Sequence, residues 1–254
     1  MAAFVKSALR TLDLLELLAA SKNGLLLSDM SRVLNIPISS THTLIATLEY
    51  RNYLVRNQSS LLYHIGPKFI QLVASGNTIV DLTTLASGTL DRIQSECQEA
   101  VTLSVLQSDK IVFISNRSSS SIVQIVNKIG TTLPAHATAS GKILLANLPP
   151  DEVDRIYPKP NLPQITERTI RTKDELKLAL TKSKTQGFAY DEGESEEGVW
   201  AVASCVKSSI GISQAAVSIV VPQIRVSKVM IQKWAEMIMD AALEISLKLG
   251  FTPD

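Results

Sequence analysis

Short polar side chains able to touch a nucleic acid stand together near the N-terminus, in the run SSTHT. The run consists of Ser39, Ser40, Thr41, His42 and Thr43. Hydroxyl groups can donate to phosphates or base edges, and the backbone N–H groups at the start of a helix attract phosphate. Arg32, Arg51 and Arg56 would neutralise phosphates around the run. The competing interpretation is an ordinary helix cap with a solvated polar face.

To contact DNA, this run has to lie on a helix that neighbouring elements hold outward. Apolar residues recur with a helical period over residues 5–19, which predicts a first helix. Ser28 is predicted to cap a second, short helix. That helix is expected to bury Met30, Val33 and Leu34.

A proline separates the second predicted helix from the third. Ile36 precedes Pro37 and is therefore pushed out of helical geometry. The third helix is predicted over residues 39–51, with SSTHT in its first turns, and two strand-like runs at residues 53–55 and 61–65 follow. This order is typical of a winged helix-turn-helix, in which the third helix enters a major groove of DNA.

The distribution of charge agrees with phosphate binding at one end of the chain only. Residues 1–70 contain seven Lys or Arg and four Asp or Glu, a net charge of +3. The other residues carry a net charge of −2, and the whole chain +1. A mildly basic small domain joined to a mildly acidic larger one fits this pattern.

Several classes of protein do not fit the sequence. No stretch approaches the roughly 18 consecutive apolar residues of a membrane span, so we expect no membrane partner. The amphipathic N-terminal segment contains Asp13 and Glu16, unlike a signal peptide, which predicts a cytoplasmic, nucleoid-associated protein. Cys97 and Cys205 are far apart and are expected to be reduced. Because CxxC and HExxH spacings are missing, we predict neither a metal nor a cofactor.

Enzyme motifs give no support for catalysis. The sequence lacks the G-x-S-x-G pattern of hydrolases, and no two glycines stand two residues apart as nucleotide-binding loops require. Residues 204–207, Ser-Cys-Val-Lys, match S-x-x-K, but they fall in a strand-like run where Lys207 cannot turn back to Ser204. We therefore predict a protein that is not an enzyme and has no catalytic residues.

The rest of the chain mixes predicted helices with predicted strands. Strands are predicted at residues 101–106, 111–115, 122–126, 199–207 and 215–221, and helices at residues 69–74, 82–96, 138–146, 173–184 and 225–248. The last helix is expected to bury Val229 and Trp234, among others. This pattern favours an α+β fold with an antiparallel sheet flanked by helices.

The N-terminal segment resembles the DNA-binding domain of IclR-type regulators. The shared features are the turn at residues 34–37, Leu-Asn-Ile-Pro, the helix with serine and threonine, and a closing Leu48-Glu49 to Tyr53-Leu54 pattern. Relatives usually carry Lys or Arg near positions 38 and 43, where this chain has Ile38 and Thr43. Base specificity is therefore not carried over from the family.

The resemblance continues through almost the whole chain. Residues 132–142, TLPAHATASGK, and residues 186–194, QGFAYDEGE, resemble two family blocks that line a GAF-like cavity for a small molecule. The resemblance implies a small-molecule effector, a small organic acid or aromatic carboxylate. The implied effector-binding residues are Ile122, Ile125, Leu133, Ala139, Ser140, Asp191, Val199, Ala201, Ser218 and Val220.

The residue types at that implied site are chemically suitable. Backbone N–H groups at Ala139 and Ser140, at the start of a helix, could bind a carboxylate. Asp191 could accept a hydrogen bond from a ligand hydroxyl. Ala201 and Val220 replace a frequent cysteine and a frequent small polar residue, which suggests a more apolar ligand than glyoxylate or pyruvate. The competing interpretation is that the polar residues only cap helices and satisfy turns.

The resemblance also implies how the parts are arranged. We predict a winged helix-turn-helix domain at residues 1–66 and a helical linker at residues 67–80, with a polar hinge at residues 75–77. A GAF-like effector-binding domain is predicted at residues 81–254. The partners are a double-stranded DNA operator and a second copy of the chain, as a homodimer or a dimer of dimers. The alternative is a small-molecule-binding or hydrolytic protein whose helix-turn-helix makes protein contacts only.

Overall fold

The computed structural model describes residues 4–21, 23–75 and 79–253. The chain divides into two compact units, Met1–Val80 and Asp81–Asp254. The predicted domain bounds stay a prediction, and the predicted hinge at Ser75-Gly76-Asn77 lies mainly outside the described residues. No helix among the described residues is long and apolar enough to cross a membrane.

The first unit is a winged helix-turn-helix, as predicted. Its elements are α1 (Lys6–Ala20), α2 (Leu27–Val33), α3 (Ile38–Tyr50), β1 (Leu54–Arg56), β2 (Tyr63–Ile65) and α4 (Lys68–Ser75). The strands β1 and β2 form an antiparallel hairpin. A small apolar core joins the elements through Leu14, Leu18, Met30, Ile45, Leu48, Leu54 and Tyr63. This core holds α3 by one face and leaves its other face to solvent.

Two predictions about α2 are wrong. Leu26, not Ser28, is its N-cap residue, because the N–H groups of Asp29 and Met30 already donate to the Leu26 carbonyl. Val33 is exposed rather than buried, since it forms the last residue of a helix of only seven. Met30 is the fully buried residue of the helix, and Leu27 packs against the same core from its first turn.

A close approach fixes the turn between α1 and α2. Gly24 has a φ of 75°, and a Cβ atom on it would lie 2.6 Å from the Tyr63 carbonyl oxygen. The next residue, Leu25, forms a bridge with Tyr63 in β2. Only glycine allows the chain to pass so near the hairpin in this conformation.

The second unit contains a six-stranded sheet in which all neighbours are antiparallel. The strands are β3 (Ala100–Gln107), β4 (Lys110–Arg117), β5 (Thr132–Pro134), β6 (Phe188–Asp191), β7 (Val199–Lys207) and β8 (Ser213–Pro222), in the order β5-β4-β3-β8-β7-β6. The helices are α5 (Ile79–Cys97), α6 (Ala139–Ala146), α7 (Pro150–Ile156), α8 (Lys173–Gln186) and α9 (Lys228–Lys248). The predicted α+β class is confirmed.

Helices cover both faces of this sheet, so alternate strand residues enter two different cores. Val199, Ala201 and Ala203 of β7 pack with α6, α7 and α8, whereas Trp200 and Val202 pack with α5 and α9. Because both faces are buried, β7 and β8 read as continuous apolar runs rather than as polar–apolar alternation.

Three differences from the predicted elements occur in this unit. The predicted strand at residues 122–126 is an irregular connection between β4 and β5. An unpredicted helix, α7, begins with Pro150 in its first turn, where a missing N–H costs nothing. The last helix begins at Lys228 with Ser227 as its cap, and Val229 is exposed because it lies in the first turn, ahead of the buried Trp234.

A polar cluster joins α5 to α9 on the outside of the second core. Glu244 of α9 accepts hydrogen bonds from Lys248 Nζ at 2.8 Å, from Thr89 Oγ1 at 2.7 Å and from Arg92 Nη2 at 2.6 Å. The bonds from Lys248, Thr89 and Arg92 lower the pKa of Glu244 from 4.5 to about 2. The cluster therefore stabilises the fold only while this carboxyl is ionised.

We expect Glu244→Gln to reduce the acid sensitivity of the second unit. A carboxyl with a lowered pKa contributes stability above its unfolded pKa and loses it as the pH falls, here between about pH 5 and pH 2. The variant should be less stable than the wild type at pH 7 but should lose less stability over that acid range. Urea unfolding at a series of pH values measures this, with Glu167→Gln, whose side chain is 84% exposed, as the control. If the free energy of unfolding fell equally with pH in the wild type, Glu244→Gln and Glu167→Gln, the lowered pKa of Glu244 would not be the source of the acid sensitivity.

Candidate functional site

The N-terminal half of α3 carries the predicted polar run on its outer face. Ser39, His42 and Thr43 are exposed, and Ser40 is half-buried. Thr43 Oγ1 donates to the Ser39 carbonyl at 3.1 Å, which leaves its oxygen lone pairs open to a donor. The helix therefore presents a row of short hydrogen-bonding groups to solvent.

Thr41 is the exception, and its predicted place among the DNA-contacting residues is wrong. Its side chain is fully buried beneath α3. Its hydroxyl lies 3.2 Å from the Pro37 carbonyl and 3.4 Å from that of Ile36, and it satisfies the backbone where α2 turns into α3. Thr41 thus fixes the start of the helix and cannot reach a ligand outside it.

The three predicted arginines are exposed in different electrostatic settings. Arg32 pairs with Asp29 at 2.8 Å, so part of its charge is compensated. The Arg56 guanidinium lies 5.5 Å from the centre of the Tyr63 ring, a cation–π contact that orients it along the hairpin. Arg51, directly after α3, has no ion pair among the described residues. Arg51 is therefore the least compensated cation beside the polar run.

In the second unit, the residues implied by the resemblance surround one cavity. Every one of them except Ile122 lines it. The full lining is Phe113, Ile125, Asn127, Leu133, Thr138, Ala139, Ser140, Asp191, Ser195, Glu196, Val199, Ala201, Ser218 and Val220. Strands β4 to β8, the first turn of α6 and two connecting segments all contribute.

Ile122 does not belong to this site. Its side chain is fully exposed, and it lies in the irregular connection that replaces the predicted strand. Even in a strand, residues 122 and 125 would point to opposite faces because they are three positions apart, and in the irregular connection only Ile125 packs against the core. The prediction for Ile122 is therefore corrected.

The start of α6 offers backbone donors to the cavity. Thr138 caps the helix, and its Oγ1 accepts from the Gly141 N–H at 3.1 Å. The N–H groups of Ala139 and Ser140 have no hydrogen-bond acceptor within the described part of the chain. Unpaired N–H groups at a helix N-terminus favour an anion.

Asp191 lines the cavity, so its contact with a ligand stays a prediction, and its side chain also holds the loop that follows β6. One of its oxygens accepts from the N–H groups of Gly193 at 3.1 Å, Glu194 at 2.8 Å and Ser195 at 3.3 Å. The other accepts from the Ser195 hydroxyl. Burial raises the pKa of Asp191, and the bond from Ser195 opposes that rise. Because its oxygens are engaged, Asp191 shapes the loop that carries Ser195 and Glu196 to the cavity.

A buried ion pair holds the same loop against α6. Lys142 of α6 pairs with Glu194, and their side chains are 6% and 11% exposed. Burial raises the pKa of Glu194, and the nearby Lys142 ammonium works against that rise. On the sheet side, the Ser218 hydroxyl lies 2.6 Å from that of Thr102 and is therefore already partnered.

Sequence reasoning missed five lining residues, and Asn127 is the one among them whose side chain has an unsatisfied buried donor. The other four are Phe113, Thr138, Ser195 and Glu196. The amide nitrogen of Asn127 is buried and has no acceptor among the described residues. An unsatisfied buried donor of this kind is uncommon and costs stability, which makes it a candidate ligand contact. No motif marks it, because a single asparagine in an apolar connection carries no sequence signal.

The cavity is small and mostly apolar between these donors. Its volume is about 40 Å³, whereas sites for drug-sized ligands have roughly 300–1,000 Å³. Among the described residues, no group of three or more His, Cys, Asp or Glu side chains could hold a metal ion. The cavity therefore offers amide donors to a small anion within a mostly apolar lining.

Comparisons with known proteins agree with both units. The family model for the "IclR helix-turn-helix domain" matches residues 7–58, and the model for "Bacterial transcriptional regulator IclR C-terminal" matches residues 77–247. The chain is 28% identical over 250 residues to the HTH-type transcriptional regulator XynR of Escherichia coli strain K12, covering 97% of this chain and 98% of XynR. It is 28% identical to the transcriptional repressor IclR of the same organism, over 97% and 90% of the two chains.

A solved structure shows the same fold over nearly the whole chain. It is an IclR homologue from Microbacterium hydrocarbonoxydans complexed with 4-hydroxybenzoate, with a TM-score of 0.85, 23% identity and coverage of 96% of this chain and 99% of that one. The relatives are named as transcriptional regulators and repressors, not as enzymes. The chain therefore belongs to the IclR family and is an IclR-type transcriptional regulator.

Proposed function

We propose that this regulator binds an operator in double-stranded DNA through α3 and the hairpin, and that a small organic carboxylate in the cavity alters that binding. The observation that carries the effector part is the set of unpaired donors, from Ala139, Ser140 and Asn127, around one buried apolar cavity. Unpaired N–H donors on three residues that line one small space are suited to a carboxylate.

An aromatic acid fits the lining better than glyoxylate or pyruvate. Ala201, Val220 and Phe113 supply apolar surface, and Glu196 supplies an acceptor for a ligand hydroxyl. The relative crystallised with 4-hydroxybenzoate binds a ligand of this type. Because a ring needs more room than about 40 Å³, we expect the connection that carries Ile125 and Asn127 to move outward on binding.

Pairing of two copies is part of the proposal, since one α3 reads only one half-site. Phe4, Val5, Leu9 and Leu12 form an exposed apolar stripe at α1. Such a stripe on the outside of a helix is typical of a surface covered by a partner. We propose that a second copy of the chain covers it.

The DNA part is tested by binding to a random-sequence duplex, followed by fluorescence anisotropy over a range of salt concentrations. We expect affinity to fall steeply with salt, and Arg51→Ala to weaken binding and reduce the slope of log K against log salt by about 1. Arg32→Ala should have a smaller effect because Asp29 compensates its charge.

Two controls accompany that measurement. Thr41→Val keeps the shape of a buried side chain, so it should lower stability by about 1 kcal/mol without changing the salt slope. Arg171→Ala removes an exposed arginine from the other unit and should leave binding unchanged. A wild type that fails to bind the duplex at low salt would contradict the DNA proposal.

The effector part is tested with 4-hydroxybenzoate and its neutral analogue 4-hydroxybenzamide in a thermal-shift titration. A ligand that binds only the folded protein raises the Tm by mass action. We expect a larger shift with the acid. Asn127→Asp keeps the shape but adds a repelling charge and removes a donor, so affinity for the acid should fall about 10- to 100-fold.

The neutral analogue is the matched control for Asn127→Asp, because a carboxamide is not repelled by the added carboxylate. If both ligands lose affinity equally, Asn127 does not face the carboxylate. If neither ligand, nor a wider set of carboxylates, changes the Tm of the wild type, the effector proposal is wrong while the DNA proposal stands.

The dimer is tested by sedimentation of Leu9→Asp and of the control Leu178→Asp. Leu9 lies in the apolar stripe of α1, whereas Leu178 is an exposed leucine on α8. A charge inside an interface should dissociate it, so only Leu9→Asp should shift the protein toward lower mass and weaken DNA binding. Unchanged assembly would show that the stripe is not the pairing surface.

A further inference from the structure

One connection links the cavity to the helix that opens the second unit. Residues 118–131, called the strap below, run from the end of β4 to β5. Ile125 and Asn127 of the strap line the cavity, while Ile122, Val123 and Ile129 are exposed. The strap has no helix or strand of its own, so its position depends on the side chains that hold it.

The first half of the strap is tied to the residue that follows α5. Ser119 Oγ donates to the Gln98 carbonyl at 2.7 Å, and Ser120 Oγ donates to the Gln98 side-chain oxygen at 2.8 Å. Gln98 has a φ of 60°, in the left-handed region that residues other than glycine rarely adopt. A strained residue of this kind persists only where its surroundings hold it.

Arg225 makes the second attachment. Its Nε and Nη2 atoms each lie 2.6 Å from an oxygen of Glu99, and its Nη1 donates to the Val123 carbonyl at 2.9 Å. Glu99 is buried, and it directly follows Gln98. The planar guanidinium therefore fixes the strap to the same corner of the chain, two residues before Ile125.

Arg117 makes the third attachment, at the point where the strap begins. Its Nη2 donates to Ser87 Oγ at 2.7 Å, and its Nε donates to Asp91. Ser87 and Asp91 both lie on α5. The last residue of β4, directly before the strap, is thus bonded to the middle of α5, while the strap itself is held at the two residues that follow α5, Gln98 directly and Glu99 through Arg225.

We infer that Arg225 is a positioning residue that, together with Gln98, couples the cavity wall to α5. This inference deepens the proposed function and rests on it. A ligand that pushes Ile125 and Asn127 outward has to stretch the hydrogen bonds that join the strap to Gln98 and Arg225. Gln98 directly follows α5, so the strain is passed to the end of that helix. Occupation of the cavity then changes the relative free energies of the alternative positions of α5. In return, the position of α5 changes the affinity of the cavity for its ligand.

The coupling can be tested without a ligand. Ala201 lines the cavity, and Ala201→Val fills part of its volume from the sheet side. Hydrogen–deuterium exchange of the full chain is compared for the wild type, Ala201→Val, Arg225→Lys and the double variant. Arg225→Lys keeps the charge beside Glu99 but cannot bond Glu99 twice and Val123 at once.

We expect Ala201→Val to change exchange several-fold in the strap and in the last turns of α5. In the Arg225→Lys background, the change in the strap should remain and the change in α5 should disappear. A general loss of stability would instead raise exchange throughout the unit in an additive way. Arg171→Lys is the matched control, because its ion pair with Glu167 is exposed and far along the sequence from the strap.

Three results would overturn the inference: a change in α5 that survives Arg225→Lys, a strap that does not respond to Ala201→Val, and a strap that Arg225→Lys leaves unchanged. None of these measurements uses an added carboxylate ligand. A failure here is therefore separate from a failure of the thermal-shift test, which concerns the ligand alone.

Discussion

Burial of the six-stranded sheet on both faces is the constraint on which the second unit depends. Alternate residues of β7 enter opposite cores, so an unpartnered polar side chain on either face costs stability. Thr102 and Ser218 avoid that cost by bonding each other. The donors of Ala139, Ser140 and Asn127 remain unpaired and line one cavity between the first turn of α6 and the strap.

Strand residues supply the apolar walls of this cavity, whereas a helix end and two connecting segments supply its unpaired donors and its bounding loops. Thr138 caps α6 and leaves two N–H groups unpaired, and Gly141 lets α6 pass close to Ala135, whose carbonyl oxygen a Cβ atom would meet at 2.1 Å. Asp191 and the Lys142–Glu194 pair fix the loop on the other side. Local rigidity around a few donors gives the site its geometry at the cost of buried charge.

The sequence predicts those parts of the fold where periodicity and end signals agree. The helical period of α1 and the apolar run of β7 are read correctly, since each is long and regular. The strap is misread as a strand because Ile122, Ile125 and Val126 have strand-forming side chains, and residue type does not show that serine hydroxyls and Arg225 hold them in an irregular path. Propensity is a weak guide where side-chain bonds decide the backbone.

At the two sites, residue type predicts which chemical groups are present better than it predicts whether a side chain faces a ligand or the protein interior. Nine of the ten residues implied by the resemblance line one cavity, whereas Ile122 does not, and Asp191 and Ser218 turn out to be partnered inside the protein. Thr41 is of a residue type that often contacts DNA, but its side chain is buried in the core. Asn127, the unsatisfied donor, has no neighbours in the sequence that would distinguish it from any other loop asparagine.

The burial of Thr41 limits how much a single copy can read. Only Ser39, His42 and Thr43 of the run point fully outward, and all three are short. Each base pair that is distinguished contributes about 1–3 kcal/mol, against some 10⁶–10⁹ competing genomic sites. In the proposed complex with DNA, one copy of α3 therefore offers too few base contacts to select a single genomic site, and a second copy on the same duplex would supply further contacts.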